Sequence, residues 1–148
     1  MPIQSVIKNI QNIMRQDPGV DGDAQRISQL VWMIFLKIFD DKEKEYEILG
    51  KNYKSPISGE LRWRNWAANA EGMTGDELLD FVNNKLFKGL KNISSTGDSR
   101  GLIVRQVFED AYNYMKSGTL IRQVVNKINE IDFNRKKDRH IFNDLYEH

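Results

Sequence analysis

The chain has 148 residues, enough for one domain with a proper core, and its charge nearly cancels at 22 basic against 21 acidic residues. That balance neither announces a nucleic-acid protein nor excludes one, because local patches matter more than the sum. With no cysteine, disulfides, thiolate catalysis and cysteine-ligated metal sites are excluded, and with only His140 and His148 a histidine-rich metal site is not expected.

Pro2 suits a helix start, and Ile3, Val6, Ile7, Ile10, Ile13 and Met14 share one face of a helix predicted over 3–16. Polar residues run through this stretch, so it does not read as a signal peptide. Asp17-Pro18-Gly19 ends it, since Pro18 biases Asp17 away from helical angles.

The longest apolar concentration follows, in a helix predicted over 24–46. Ile27, Leu30, Val31, Ile34, Phe35, Ile38 and Phe39 form a continuous stripe at helical period. Trp32, Met33 and Leu36 lie off the stripe, so the middle of the helix is apolar most of the way round and is expected to be buried on several sides. Asp21 or Asp23 is placed to cap its first turn. After Phe39 the sequence turns to DDKEKEYE, and the last turns are expected to emerge into solvent before Leu49-Gly50 closes the helix. The longest uncharged apolar run, Leu30 to Leu36, falls far short of the roughly 20 residues that span a bilayer. A soluble, cytoplasmic protein with no membrane contact is the expectation.

Residues 50–72 hold Gly50, Pro56, Gly59, Gly72 and the aromatics Tyr53, Trp63 and Trp66, which predicts a long connection pinned to the core, with a short helix near 63–70. Thr74-Gly-Asp-Glu is a capping pattern for a helix through Leu78, Leu79, Val82 and Leu86. A polar loop covers 92–100. The next helix is predicted over 101–115, with Leu102, Ile103, Val107, Phe108, Ala111 and Met115 inward. Ser117-Gly118 interrupts, and Thr119 is the expected cap of a helix burying Leu120, Val124, Val125, Ile128 and Ile131. Basic RKKDRH leads to a terminal segment with Ile141, Phe142, Leu145 and Tyr146. No stretch alternates convincingly at period two. The fold class is therefore all-α: a single bundle-like domain of about six helices around the long central helix 24–46.

The search for chemistry is mostly negative. No glycine-rich loop follows a strand, and neither Ser55 nor Ser58 has a histidine close in sequence. Asp40, Asp41, Glu43, Glu45 and Glu47 have the donor type of a cation site, but the lysines among them favour a solvated charged face. Glu109-Asp110 reads as helix surface. No catalytic, cofactor-binding or metal residue is assigned.

Two basic clusters are the candidates for DNA contact. Lys51, Lys54, Arg62 and Arg64 interleave with Tyr53, Trp63 and Trp66. Cations supply phosphate contacts, and aromatics stack on bases or brace the loop; the alternative is that the tryptophans are core and the arginines pair with acids. The second cluster is Arg135, Lys136, Lys137 and Arg139, beside His140, and it suits either phosphate contact or a solvated linker.

Taken in order, these segments resemble the N-terminal helical domain of the methylation (modification) subunit of type I restriction–modification systems. The resemblance covers nearly the whole chain, 1–148. It rests on QLVWMIFLKIFDDKEKEYE, the aromatic loop LRWRNW, RGLIVRQVFEDAYNYMKSGTLIRQVVNKINEIDF and the closing DRHIFNDLYE, by order and spacing rather than one diagnostic motif. It implies a downstream domain that binds S-adenosylmethionine and methylates adenine N6 in DNA. That domain's glycine motif and Asn-Pro-Pro-aromatic motif are missing here, since the prolines are Pro2, Pro18 and Pro56, none adjacent. This stretch is thus expected to be a non-catalytic fragment or truncated gene product with no cofactor of its own.

The resemblance further implies a domain that helps clamp DNA within an assembly of two modification subunits and one specificity subunit, with a restriction subunit in the full complex. Two alternatives stay open on the residues alone: a purely protein–protein helical module, and an unrelated stand-alone helical DNA-binding protein.

Overall fold

A computed structural model of the chain describes residues 3–50, 52–94 and 99–133. Regular structure among them is entirely helical. Helix α1 spans Ile3–Met14 and α2 spans Asp23–Leu49. Helix α3 is the short Trp63–Trp66. Helix α4 is a continuous run over 75–91 whose middle, Phe81–Leu86, widens to π geometry. Helix α5 spans Ser99–Glu109 and α6 spans Gly118–Ile128. No helix among the described residues is long and apolar enough to cross a membrane.

Apolar spacing decides most of this. In α1 the buried residues are Ile3, Val6, Ile10 and Met14, with Ile7 and Ile13 packed at the margin of the core. They meet α6, where Ile121, Val124, Val125 and Ile128 are wholly buried. A second centre is aromatic. Trp32 of α2 stands edge-on to Phe87 of α4 at 4.8 Å and to Phe108 of α5 at 6.1 Å. Phe87 and Phe108 meet in the same way at 5.1 Å, closing a three-helix contact of the kind aromatic quadrupoles favour.

Two glycines set how closely the chain can pack. A Cβ on Gly118, at the start of α6, would lie 1.7 Å from the carbonyl oxygen of Gly75, at the start of α4. One on Gly19 would lie 1.8 Å from the carbonyl oxygen of Tyr114.

Several expectations are corrected. The deep face of α2 is not the apolar stripe alone: Arg26, Gln29, Met33, Leu36, Asp40 and Glu43 recur at steps of three and four and are all buried, whereas Ile27, Val31, Phe35, Ile38 and Phe39 are half-buried. Neither Asp21 nor Asp23 caps α2, because Gly22 occupies the N-cap. Asp23 instead pairs with Arg26, whose guanidinium also donates to the carbonyls of Val20 and Asp21 at 3.0 and 2.8 Å. The helix predicted over 101–115 stops at Glu109, and Ile103 is exposed rather than inward. Ser117, not Thr119, caps α6, its side chain accepting from the Leu120 amide at 3.2 Å.

The reason α5 stops early lies far away in sequence. The segment 110–117 is non-helical, and side chains of other elements take up its amides. Asp17, 1% exposed, accepts from the Lys116 amide at 2.9 Å and the Ser117 amide at 2.9 Å. Gln29 accepts from the Tyr114 amide at 2.7 Å and donates to Asn113 at 2.8 Å. These bonds replace the ladder a helix would have provided.

Candidate functional site

The first basic cluster lies on the connection between α2 and α3, folded back along the last turns of α2. Leu61 and Trp66 are buried, and the Trp66 indole N–H donates to the Leu61 carbonyl at 3.1 Å. The Trp63 indole donates to Asn129 just after α6, at 2.8 Å. Trp66 also meets Trp63 at 5.3 Å and Phe81 of α4 at 5.6 Å. Both tryptophans therefore brace the connection into the core, and neither is available for a base to stack on.

That bracing turns Arg62 and Arg64 onto α2. Arg64 Nε donates to Asp40 Oδ1 at 2.9 Å and its Nη1 to Glu47 Oε1 at 2.8 Å. Arg62 Nη2 donates to Glu47 Oε2 at 2.7 Å and lies 3.3 Å from Glu43 Oε1. The Tyr53 hydroxyl donates to the other Glu43 oxygen at 2.7 Å. Three acids of α2, one turn apart on one face, thus hold two arginines and a tyrosine. The sequence expectation that DDKEKEYE forms a solvated face holds for 44–47, which are exposed, and is corrected for Asp40 and Glu43. Asp40 and Glu43 are 2% and 1% exposed, because a buried carboxylate is tolerated when guanidinium and hydroxyl donors meet it. Lysine interleaving misled because Lys37 and Lys42 pair with other acids, Asp41 at 2.6 Å and Glu45 at 3.4 Å, and only Lys44 reaches the buried set, 3.8 Å from Asp40.

The electrostatics follow the geometry. Hydrogen bonds from Arg64 and then Arg62 hold the Glu47 carboxyl below its ordinary value of 4.5, outweighing the opposing effect of burial. Burial pulls the Arg64 guanidinium down, but its bonds to Glu47 and Asp40 more than offset this and leave it raised.

The other candidates are placed as follows. Lys54 is exposed. Lys51, Arg135, Lys136, Lys137 and Arg139 lie outside the described residues, as do His140, Ile141, Phe142, Leu145 and Tyr146. Beside the cluster, Arg100 of α5 lies over the rings of Tyr46 at 4.9 Å and Tyr53 at 4.5 Å, in a shallow cleft of about 320 Å³ shared with Leu49. A larger open groove of about 580 Å³ runs between α2 and α5, past Ile27, Val31, Val107 and Tyr112.

Sequence reasoning missed Arg122. It is 5% exposed and donates to the carbonyls of Trp66, Ala67, Asn69 and Met73, at 2.7, 3.1, 3.1 and 2.7 Å. It ties α6 to the end of the aromatic connection, and burial lowers its pKa. Its place between Ile121 and Val124, on an otherwise apolar face, was the available signal.

No group of three or more acidic, histidine or cysteine side chains among the described residues is arranged to hold a metal ion. Among the described residues no strand delivers a glycine-rich turn to a helix, and α2's acids are engaged by arginines.

Comparison with known proteins agrees with this architecture. The family model described as the HsdM N-terminal domain matches residues 3–128. The chain is 58% identical, over 149 aligned residues, to the type I restriction enzyme EcoEI methylase subunit of Escherichia coli, an alignment covering 99% of this chain and 30% of that subunit. A crystal structure of a modification subunit from Vibrio vulnificus YJ016 superposes with a TM-score of 0.84 at 37% identity, over 97% of this chain and 33% of the other. A chain solved to explain complex assembly and conformational transition of the type I restriction–modification system gives 0.78 at 30% identity, over 97% of this chain and 29% of its own length. The chain thus spans a third or less of each relative. With its helices, their order and nearly all of its length matched, the chain belongs to the HsdM N-terminal domain family.

Proposed function

We propose that this domain is the non-catalytic N-terminal part of a modification subunit and helps close a type I enzyme around DNA. The observation that carries the reading is the family match over 3–128 in a chain spanning 30% of a curated methylase subunit. Methylation of adenine N6, with S-adenosylmethionine as donor, then belongs to the part of such a subunit downstream of this domain. The partners in this reading are DNA, a specificity subunit, a second modification subunit and a restriction subunit. Lys51, Lys54, Arg62, Arg64 and the run Arg135, Lys136, Lys137 and Arg139 are its candidate phosphate contacts. They would position the duplex without reading its sequence.

The test is duplex binding by the assembled enzyme with these residues neutralised in two sets, 51–64 and 135–139. Each true phosphate contact removed flattens the salt dependence of binding, lowering the log–log slope by about 0.9. Unchanged affinity and slope in both sets would remove DNA contact from the domain.

One observation favours the second reading, a protein–protein module. Ile48 and Leu49, at the end of α2, are each 84% exposed. Apolar side chains so exposed at the tip of the longest helix suit a subunit or interdomain contact. Ile48→Ser with Leu49→Ser would then weaken subunit assembly and leave the salt slope of DNA binding unchanged.

A further inference from the structure

Between Arg62 and Arg64 one carboxylate, Glu47, holds the place that a phosphate group would take. Its two oxygens each accept from a different guanidinium, at 2.7 and 2.8 Å. Behind the arginines, the buried carboxylate of Asp40 receives Arg64 Nε at 2.9 Å, and Glu43 lies 3.3 Å from Arg62. The rear pair positions both guanidiniums. The front carboxylate differs from them: Glu47 is on an exposed turn near the end of α2, with its side chain 31% exposed against 3% for Asp40 and 1% for Glu43. It can swing away by rotating its own side chain, whereas Asp40 and Glu43 cannot leave without unpacking the helix. Arg64 Nη2 and Arg62 Nε are buried and have no hydrogen-bond partner among the described residues. A phosphate carries more acceptor oxygens than a carboxylate, and so can replace both of the bonds that Glu47 gives up.

We propose that Arg62 and Arg64 form a phosphate seat which Glu47 occupies in the free domain, so that Glu47 is an intramolecular competitor of the DNA backbone. With Glu47 in place, three acids surround two arginines, and the patch does not attract a polyanion. Lys44, 3.8 Å from Asp40, brings the local sum only to zero. When Glu47 leaves, the sum becomes positive and the two guanidiniums are already aimed. Binding through this seat therefore needs an incoming phosphate to displace a side chain, which favours DNA pressed against the domain in an assembled enzyme over DNA met in passing. This rests on the DNA reading above, and supplies the state in which its arginines act.

The experiment compares the chain with Glu47→Gln, Glu45→Gln and the double variant Glu47→Gln with Arg64→Gln. Each is titrated with a random-sequence DNA duplex across salt concentrations and, separately, with inorganic phosphate. Glu45→Gln makes the same charge change on the same exposed end of α2 without touching either arginine. The seat predicts that Glu47→Gln binds duplex roughly 3- to 10-fold more tightly than the Glu45→Gln control, with a salt slope steeper by about one contact, and that the double variant loses the gain. Thermal melts check that each variant is folded. If the parent binds duplex in a salt-sensitive way and Glu47→Gln gains no more than Glu45→Gln, the seat is wrong and the DNA reading stands. If Glu47→Gln takes up inorganic phosphate but no variant binds duplex, the seat is real and the DNA backbone is not its ligand. If nothing binds either probe, the seat fails, and the DNA reading is decided separately by duplex binding of the assembled enzyme.

Discussion

Two irregular stretches are strapped to the helices of this domain, and they are strapped differently. The segment 110–117 is held from inside: Asp17, Gln29 and Asn113 are buried, and they take up backbone amides and one another. The connection 52–66 is held from its edge, with two arginines and a tyrosine reaching three acids of α2 whose exposure rises from Asp40 and Glu43 to Glu47. The first strap consists mostly of bonds to backbone groups that cannot be replaced by water. The second grades from such bonds to a pair that water and salt can reach. The inner strap holds the fold from within, while the outer end of the edge strap is the part that, in the proposal above, a phosphate displaces.

The strongest way to break this contrast is Asp17→Ala. It leaves the buried amides of Lys116 and Ser117 without acceptors, and a loss of about 3 kcal/mol is expected in denaturant unfolding. A loss below about 1 kcal/mol would show that water satisfies these amides and that the segment is not held from inside. Gly118→Ala tests the closeness of packing on the same side of the molecule. Its methyl group would overlap the Gly75 carbonyl, and about 2 kcal/mol or more is expected from overpacking.

On the edge strap the effects are smaller. Arg64→Met leaves Asp40 buried with only a distant lysine, and about 1–3 kcal/mol is expected in the same unfolding measurement. Glu47→Gln disturbs only the exposed end, so a change within about 1 kcal/mol is expected, abolished in high salt. A loss equal to that of Arg64→Met would erase the gradient along the strap.

The pH dependence sharpens the same point. Glu47 titrates below 4.5 when folded, so its stabilising pairs are fully present above that value and are lost as pH falls through the lower folded value. Comparing parent and Glu47→Gln stability from neutral to acid pH should therefore show the two curves converging only below about pH 4.5. Convergence already near pH 6 would mean that the guanidiniums do not hold this carboxyl.

The elements most legible in the sequence were those whose apolar residues repeat at helical period with no partner needed to explain them. Helix α1, the extent of α2 to Leu49-Gly50, and α6 were readable in this way. The early end of α5 was not readable. Val107, Phe108 and Ala111 continue a plausible helical pattern past Glu109, and the competing bonds come from Asp17 and Gln29, more than eighty positions away. In the candidate site, residue types were legible and roles were not. Arg62, Arg64 and the α2 acids could each be named, but whether the arginines faced solvent or carboxylates depended on how Trp63 and Trp66 anchor the connection.

By itself, then, the sequence determined an all-helical domain, a long central helix and the family, because hydrophobic period and segment order are local properties of the chain. Tertiary structure alone decided which side of α2 lies deepest, why Asp40 and Glu43 can be buried there, and which acid holds Arg62 and Arg64 at the surface. The physical reason is that an apolar side chain is buried against any apolar surface, whereas a buried charge requires one particular partner at hydrogen-bond distance. Those partners come from positions that only the folded chain brings together.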